Sequence, residues 1–273
     1  MSRLMLQAAS TMNQLQQKMD LIGNNIANIS TTGYKTRQAD FSSLLFQQIN
    51  NMTDPANAEG RLTPDGVRVG SGAKLGSINV DLSLGNLTNT GRALDVALTQ
   101  PNQLFQISVT ENNVTETRYT RDGSFYLSPL ANNQVALTTK DGDPVLGVNG
   151  QIIFEDGFDE INITDNGQIT VRRGNDTQVV GQLDVVEAVR PRLLEATGNN
   201  NFRLPDLDAL GYNQADIIQD VQATMKSGTL ESSNVDMAQQ LTDLITAQRS
   251  YQFNARTISM GDQMMGLVNQ LRS

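Results

Sequence analysis

The stretch MLQAASTMNQLQQKMDLIGNNIANI, residues 5–29, predicts how the fold begins. Its apolar residues recur every seven positions in two rows. The first row holds Met5, Met12, Met19 and Ile26, and the second holds Ala8, Leu15, Ile22 and Ile29. This a and d spacing predicts a helix with a narrow apolar seam, which suits packing against another helix. Gly33 can adopt the left-handed conformation that ends helices, so the helix is predicted over about residues 3 to 29.

The C-terminal end carries a matching pattern. Its row of Leu244, Tyr251, Ile258 and Met265 is flanked by Leu241, Ile245, Ala255 and Val268. A second helix is predicted to begin near Asn234 or Asp236, whose side chains can cap free backbone N–H groups, and to run close to Ser273. Because the predicted helix at each end carries an apolar seam, the sequence indicates a chain that pairs with itself or with its copies. Two ordinary amphipathic helices packed on one domain remain the alternative.

Composition excludes several kinds of chemistry. The 273 residues contain neither Cys nor His, which removes disulfides, thiol nucleophiles, His-based triads and the commonest metal ligand. A formal charge of −9 argues against a nucleic-acid partner. No apolar run is long enough to span a membrane, and polar residues interrupt the start of the chain where a secretory signal would need its apolar core.

Between the two helices the sequence predicts β-structure. Residues 50–76 are rich in Gly, Pro, Asn and Asp, and are predicted to be extended. Short β-runs follow over about residues 77 to 200, with a hairpin at Asn166-Gly167 and a single strand over residues 178–186 that has Gly181 as a candidate bulge. Asn-Asn and Asp-Gly pairs supply the turns, and a polar loop is predicted at residues 198–201. The predicted fold class is α+β, with N- and C-terminal helices that form a coiled-coil-like axial pair and with a central all-β domain.

Candidate catalytic and metal-binding residues are few. Two close pairs of carboxylates, Glu155-Asp156 and Asp159-Glu160, have the residue types that cleave glycosidic bonds, although acidic turns are usually only solvated. Asp141-Gly142-Asp143 lacks the rest of a calcium-binding loop. We therefore predict no catalytic, cofactor or metal site.

Four segments together resemble the bacterial flagellar basal-body rod and hook protein family, and its distal-rod branch in particular. They are Asn24-Asn25-Ile26-Ala27-Asn28 with Thr31-Thr32-Gly33-Tyr34-Lys35, residues 85–98 (GNLTNTGRALDVAL), residues 119–125 (YTRDGSF), and Ser233-Asn234-Val235-Asp236-Met237 with Gln248-Arg249-Ser250-Tyr251. They occur in the family's order along the chain. The stretch Leu98–Phe105 departs from the family pattern, because Pro101 stands where the family has glycines.

The resemblance implies a structural subunit of the flagellar rod. In the family, terminal helices of many subunits surround an export channel and the β-domain faces outward. Copies of the same chain, neighbouring rod and hook subunits, and the flagellar type III export gate are the implied partners. Phe41 and Leu45 resemble the element that engages the gate, although a Phe and a Leu four residues apart are also an ordinary helix contact. Export without a cleaved signal is implied as well.

These implications define the predicted domains and their roles. The domains are 1–45 for the N-terminal axial helix and export segment, 46–76 for an extended linker, 77–200 for the β-domain, 201–230 for a return linker and 231–273 for the C-terminal axial helix. The residues predicted to form assembly seams are Met5, Met12, Leu15, Met19, Ile22, Ile26, Ile29, Leu241, Leu244, Tyr251, Ile258 and Met265. The family signature comprises Asn24, Asn25, Ala27, Asn28, Thr32, Gly33, Tyr34, Lys35, Ser233, Asn234, Val235, Gln248 and Arg249.

Three alternatives remain open from the sequence. A hook-type or hook-junction subunit belongs to the same family, but the chain is short for the large extra domain of typical hook subunits. A peptidoglycan-cleaving enzyme would use the carboxylates of residues 155–160. A soluble adaptor would bind a partner helix through its terminal seams.

Overall fold

A computed structural model describes residues 2–43, 46–49, 67–70, 73–207, 211–222 and 224–272 of the chain. The protein is a mixture of helix and sheet, with a helix at each end and a β-rich region between them, which confirms the coarse fold prediction. No described helix has the length and apolar character that crossing a membrane requires.

Two long helices begin and end the described chain. The first, α1, spans Ser2–Ala27 and ends two residues earlier than predicted. The second, α2, spans Met237–Arg272. The side chain of Asn234, predicted as a possible cap for α2, instead bonds to Thr36, as described below.

In the described part of the chain, twenty-two short strands lie between the helices. They are β1 (Arg37–Ser43), β2 (Phe46–Ile49), β3 (Val67–Gly70), β4 (Ala73–Val80), β5 (Leu87–Asn89), β6 (Val96–Leu98), β7 (Gln103–Glu111), β8 (Val114–Thr120), β9 (Tyr126–Leu130), β10 (Gln134–Thr138), β11 (Leu146–Gly147), β12 (Gly150–Gln151), β13 (Ile153–Glu155), β14 (Glu160–Ile163), β15 (Gln168–Arg173), β16 (Asp176–Gln182), β17 (Val185–Ala188), β18 (Glu195–Gly198), β19 (Asn201–Arg203), β20 (Ile218–Asp220), β21 (Met225–Ser227) and β22 (Thr229–Glu231).

The largest described sheet has six strands in the order β18-β19-β8-β7-β17-β20. Two three-stranded sheets, β13-β10-β9 and β14-β15-β16, accompany it, and the remaining strands form pairs: β1 with β4, β2 with β3, β5 with β22, β6 with β21, and β11 with β12. One apolar core contains Phe105, Ile107, Phe125, Leu137 and Ile169. A second lies around Leu104, Tyr119, Val186 and Ile217. Alternate residues of β7 thus enter different cores, because strand side chains alternate between faces.

Asparagine pairs make the tight turns of this region. Asn112-Asn113 and Asn132-Asn133 all have positive φ and connect antiparallel strands, as a hairpin turn with two left-handed residues requires. The predicted turns at both pairs are confirmed. Asn199-Asn200 has the same conformation between β18 and β19, so the polar loop predicted at residues 198–201 is in fact a third hairpin turn.

The hairpin predicted at Asn166-Gly167 is confirmed between β14 and β15. The predicted bulge is also present, since the pairing of β15 with β16 skips Val180, next to Gly181. The single strand predicted over residues 178–186 is wrong. The chain leaves β16 at Leu183, whose N–H donates to Gly167, and Asp184 then donates to Leu146 before β17 begins in another sheet.

The chain divides into two compact units. One contains Met1–Asn24, Arg37–Ile78 and Met237–Ser273, and the other contains Asn25–Thr36 and Asn79–Asp236. Strands β20, β21 and β22 lie within or just after the predicted return linker, yet they pair with β17, β6 and β5.

We predict that a fragment of residues 79–236 unfolds cooperatively and is monomeric, with strand-rich circular dichroism. A fragment of residues 77–200 should be less stable or unfolded, because it lacks the four strands β19, β20, β21 and β22, which complete sheets and pairs. Urea unfolding of both fragments tests this expectation. Equal midpoints would place the domain boundary near residue 200, as predicted from sequence.

Candidate functional site at the roots of the terminal segments

Three distant parts of the chain meet at one buried carboxylate, that of Glu231. Its Oε1 accepts hydrogen bonds from Lys35 Nζ at 2.6 Å and from the backbone N–H of Gly85 at 2.7 Å. Its Oε2 accepts from Arg121 Nε at 2.5 Å. All three charged side chains are at most 1% exposed. We call Lys35, Arg121 and Glu231 the clasp.

The other donors of the two cations also have partners. Lys35 Nζ donates to the carbonyl of Ser83 at 2.5 Å. The guanidinium of Arg121 donates to the carbonyls of Leu98, Gln100 and Gln103, so the turn that contains Pro101 wraps around it. Such extensive hydrogen bonding is what makes burial of charged groups tolerable.

The clasp holds two cations and one anion away from water. Burial lowers the pKa of Lys35, against the charge and hydrogen bond of Glu231, which raise it. Burial also lowers the pKa of Arg121, again with Glu231 opposing. Glu231 is therefore the group that keeps both cations compatible with a dry environment.

The backbone reinforces the clasp at Gly33. Its N–H donates to the carbonyl oxygen of Glu231 at 2.8 Å, and its φ of +64° is left-handed. A Cβ at this position would lie 2.6 Å from the carbonyl carbon of Arg121. Only glycine fits here, for reasons of both backbone conformation and space.

Asn234 ties the segment before α2 to the segment after α1. Its Oδ1 accepts from the N–H of Thr36 at 2.7 Å and from the Thr36 hydroxyl at 2.8 Å. Its amide nitrogen donates to the carbonyls of Asp81 and Ser83. One side chain thus joins three segments, which explains why it is not available as a helix cap.

Tyr34 and Asn25 extend the same arrangement into the last turn of α1. Both are buried, and the Tyr34 hydroxyl donates to Asn25 Oδ1 at 3.0 Å. The roots of both terminal helices, residues 25–36 and 231–236, are therefore fastened to the β-strand region through side chains and backbone.

The structure gathers much of the predicted signature here but not all of it. Asn25, Gly33, Tyr34, Lys35 and Val235 are buried. Asn28, Thr32, Ser233 and Asn234 are half-buried, whereas Asn24, Ala27, Gln248 and Arg249 are exposed. The last two lie along α2, away from the clasp in sequence.

The predicted seam residues differ in burial. In α1, Leu15 and Ile22 are buried together with Ala8, while Met5, Met12, Met19, Ile26 and Ile29 are half-buried. In α2, Leu244, Tyr251 and Ile258 are half-buried, and Leu241 and Met265 are exposed. The most buried residues of α2 are Gln240 and Ala247, which belong to a neighbouring row of the helix. The part of these residues in assembly stays a prediction.

The remaining candidates do not form a site. Phe41 lies in strand β1, and Leu45 lies outside the described residues. Asp156, Asp159 and Glu160 are exposed and accept hydrogen bonds from Gly157, Gly174 and Arg172. In the part of the chain that the structure describes, no cluster of three or more acidic residues could hold a metal ion.

Sequence reasoning missed the central residue of the site. From sequence, Glu231 is only the first residue of the predicted C-terminal segment, and Arg121 is only one member of the YTRDGSF motif. No local pattern marks Glu231, since a Glu between Leu230 and Ser232 is ordinary in a surface strand. Only the strand pairing could have identified Glu231, because β22 pairs with β5 and places Glu231 opposite Leu87.

Comparisons with known proteins match three segments of the chain, and these are the segments that meet in the clasp. Residues 5–35 match the model described as flagella basal body rod protein. Residues 100–171 match the flagellar hook protein FlgE/F/G D1 domain, and residues 226–271 match the flagellar basal body rod FlgEFG protein C-terminal region. Each match contains one residue of the clasp.

Several relatives are similar over nearly their whole length. A flagellar hook-basal body complex protein FlhP of Bacillus subtilis is 42% identical, with 100% of both chains covered. A flagellar basal-body rod protein FlgG of Agrobacterium fabrum is 34% identical over 96% of this chain and 97% of its own. The FlgG of Borreliella burgdorferi is 31% identical over 100% and 99%.

The chain therefore belongs to the family of bacterial flagellar basal-body rod and hook proteins. It is a structural protein of the rod, not an enzyme, which rules out the peptidoglycan-cleaving alternative.

We predict that Glu231→Gln lowers the free energy of unfolding by about 3–5 kcal/mol, because it leaves two buried cations without a counter-charge. Lys35→Met should cost less, since the neutral pair of Arg121 and Glu231 survives. Urea unfolding of the full chain measures both changes.

The matched control is Glu195→Gln. Glu195 forms an ion pair with Arg203 in which both side chains are 49% exposed. Such pairs contribute about 0–1 kcal/mol. Glu231→Gln with a cost as small as that of the control would show that the clasp does not hold the roots in place.

Proposed function

We propose that the chain polymerises through its terminal helices around the flagellar export channel, with the β-region outward, and that the resulting rod transmits torque from motor to hook. This proposal rests on family membership and on one observation: α2 carries two separate apolar faces. A helix that served a single domain would need only one.

The first face of α2 is its less exposed side. It contains Gln240, Leu244, Ala247, Tyr251 and Ile258. Gly261 continues it, and a Cβ there would meet Met5 Cγ of α1 at 3.4 Å. The two helices thus approach each other within one compact unit, which supports a coiled-coil-like axial pair that uses the predicted seams.

The second face is an exposed apolar stripe, which we call the outer stripe. It consists of Phe253, Met260, Met264, Leu267 and Leu271. At about 100° per residue, its centre lies roughly 140° from the first face around the helix axis. Phe253 is 70% exposed and Leu271 is 90% exposed.

The outer stripe supports burial between subunits. Fully burying one such side chain contributes about 1.5–3 kcal/mol. Association costs translational freedom, so several side chains must be buried together for a stable contact. A contact repeated from copy to copy in an open arrangement produces a helical polymer rather than a closed oligomer.

The clasp supports the transmission of torque. Force applied to the helices reaches the β-region through residues 25–36 and 231–236, because these segments lead directly into α1 and α2. Charge-assisted hydrogen bonds at 2.5–2.7 Å and the Asn234 contacts hold both segments in one geometry. A flexible connection at this point would not transmit rotation.

We also propose the binding partners of the chain and its export route. Copies of the chain, neighbouring rod and hook subunits and the flagellar type III export gate are the partners. The location is the extracytoplasmic part of the basal body, reached without a cleaved signal. Phe41 and Leu45 are the residues proposed to engage the gate.

We predict that Phe253→Gln combined with Met260→Gln abolishes polymer formation while the unfolding midpoint stays within error, because both side chains are exposed in the single chain. Sedimentation of the purified protein and swimming on soft agar measure the effect. Gln252→Asn with Gln263→Asn, exposed on α2 outside both apolar faces, should behave as wild type. Polymerisation by the Phe253 and Met260 variant would show that the outer stripe is not part of the assembly contact.

We predict that Phe41→Ala combined with Leu45→Ala causes the protein to accumulate inside the cell, because the aromatic and aliphatic pair would no longer engage the gate. Immunoblots of cells and medium from a strain without a completed hook measure export. Phe46→Ala with Leu44→Ala serves as the neighbouring control. Normal secretion of the Phe41 and Leu45 variant would leave these two residues a structural role only.

A further inference from the structure

A cavity of about 740 Å³ opens at one end of the β17–β20 pair. Leu183 and Met225 line its buried part, and Gln168 and Gln182 lie at its exposed side. Its size is that of a site that takes a small molecule or a short turn of chain rather than a single methyl group. Family membership assigns no role to it.

The cavity lining is acidic and has no cation. Asp184 and Asp220 both line it, and neither forms an ion pair among the described residues. Asp184 Oδ2 accepts from Gln106 Nε2 at 2.7 Å. Burial raises the pKa of Asp184, and the charge of Asp220 raises it further. A positively charged guest would relieve this repulsion, and its apolar stem would contact Leu183 and Met225.

The opposite end of the same strand pair presents a basic turn, Arg190-Pro191-Arg192. It follows β17 directly, and Pro191–Leu193 forms one turn of 3-10 helix. Both arginines are exposed, and in the described part of the chain neither has a carboxylate within ion-pair distance. Arg190 lies 4.8 Å from the ring centre of Tyr212, and Pro191 fixes its own φ, so the turn is largely ordered before it binds.

The turn cannot enter the cavity of its own chain. Asp220 pairs with Val186, and Arg190 lies four residues further along the chain, just past the end of β17, at a separation of up to about 13 Å. The chain then leads to β18, at the other edge of the six-stranded sheet from β20. Complementary surfaces at opposite ends of one element are what a head-to-tail contact between copies requires.

We propose that the cavity receives the Arg190–Arg192 turn of a second copy of this chain, so that successive β-regions contact head to tail. This inference rests on the proposed polymerisation through the helices and gives the β-region a role in it. The contact sets the register between subunits. It does not drive association, because a few charged contacts at a solvated surface contribute little by themselves.

The absence of Cys from the chain allows a direct test. Arg192→Cys and Asp220→Cys in the same full-length protein should give a ladder of disulfide-linked multimers when the polymer is mildly oxidised and run on a non-reducing gel. A bond within one chain would leave a monomer on the gel, so only bonds between copies can give the ladder. Single-cysteine proteins should stop at dimers.

The matched control pairs Arg192→Cys with Asp156→Cys, an exposed acidic residue outside the cavity. A ladder from the cavity pair alone supports the contact. Sedimenting polymer with no ladder, or with equal ladders from both pairs, overturns the contact and leaves helix-driven polymerisation standing. Failure to sediment overturns the proposed function, and the head-to-tail contact with it.

Charge reversal provides a second measurement. Arg192→Asp and Asp220→Arg should each lower the fraction of polymer with regular subunit spacing in electron micrographs, and the double variant should restore it. Restoration supports a direct contact between the two sites. A double variant that is as irregular as the worse single variant contradicts it.

Discussion

The carboxylate of Glu231 is the interaction on which the rest of the structure depends. Its two oxygens bind Arg121 and Lys35, which are 110 and 196 residues away from Glu231 in sequence. A buried ion pair stabilises a fold only weakly relative to a well-packed apolar replacement, but removal of one partner is severe. The clasp is therefore better understood as a requirement for one geometry than as a source of stability. It forms only when both terminal segments are in place.

That geometry links local conformation to assembly. Gly33 approaches the backbone of Arg121 too closely for any side chain. The side-chain amide of Asn234 forms hydrogen bonds with Thr36, Asp81 and Ser83 and therefore does not cap α2. In the proposed assembly, the two apolar faces of α2 are useful to a polymer only if every copy presents them in the same orientation. In the proposed assembly, polar residues fix the conformation of the roots and apolar residues of the helices supply adhesion, so the two tasks are physically separate.

The sequence predicts individual helices and hairpins better than it predicts which distant segments contact one another. Seven-residue periodicity and Gly33 were enough for α1, and Asn166-Gly167 was enough for the β14–β15 hairpin, because these signals are local. The strand predicted over residues 178–186 failed because Leu183 and Asp184 bond to Gly167 and Leu146, which are distant in sequence. The candidate site shows the same limit. The resemblance identified Gly33, Lys35 and Asn234, but nothing local identifies Glu231 as their common partner, since burial of a carboxylate depends on what folds over it.

Hydrogen exchange at Gly33 tests the central claim most directly. Its N–H donates to the Glu231 carbonyl at 2.8 Å, in a loop that would otherwise exchange freely. If the clasp fastens both roots, this amide should be protected in the soluble full-length protein nearly as strongly as the amide of Ile107 in the core strand β7, and Glu231→Gln should abolish its protection while leaving Ile107 protected. Rapid exchange at Gly33 in the wild-type protein, or unchanged protection in the variant, would contradict the account.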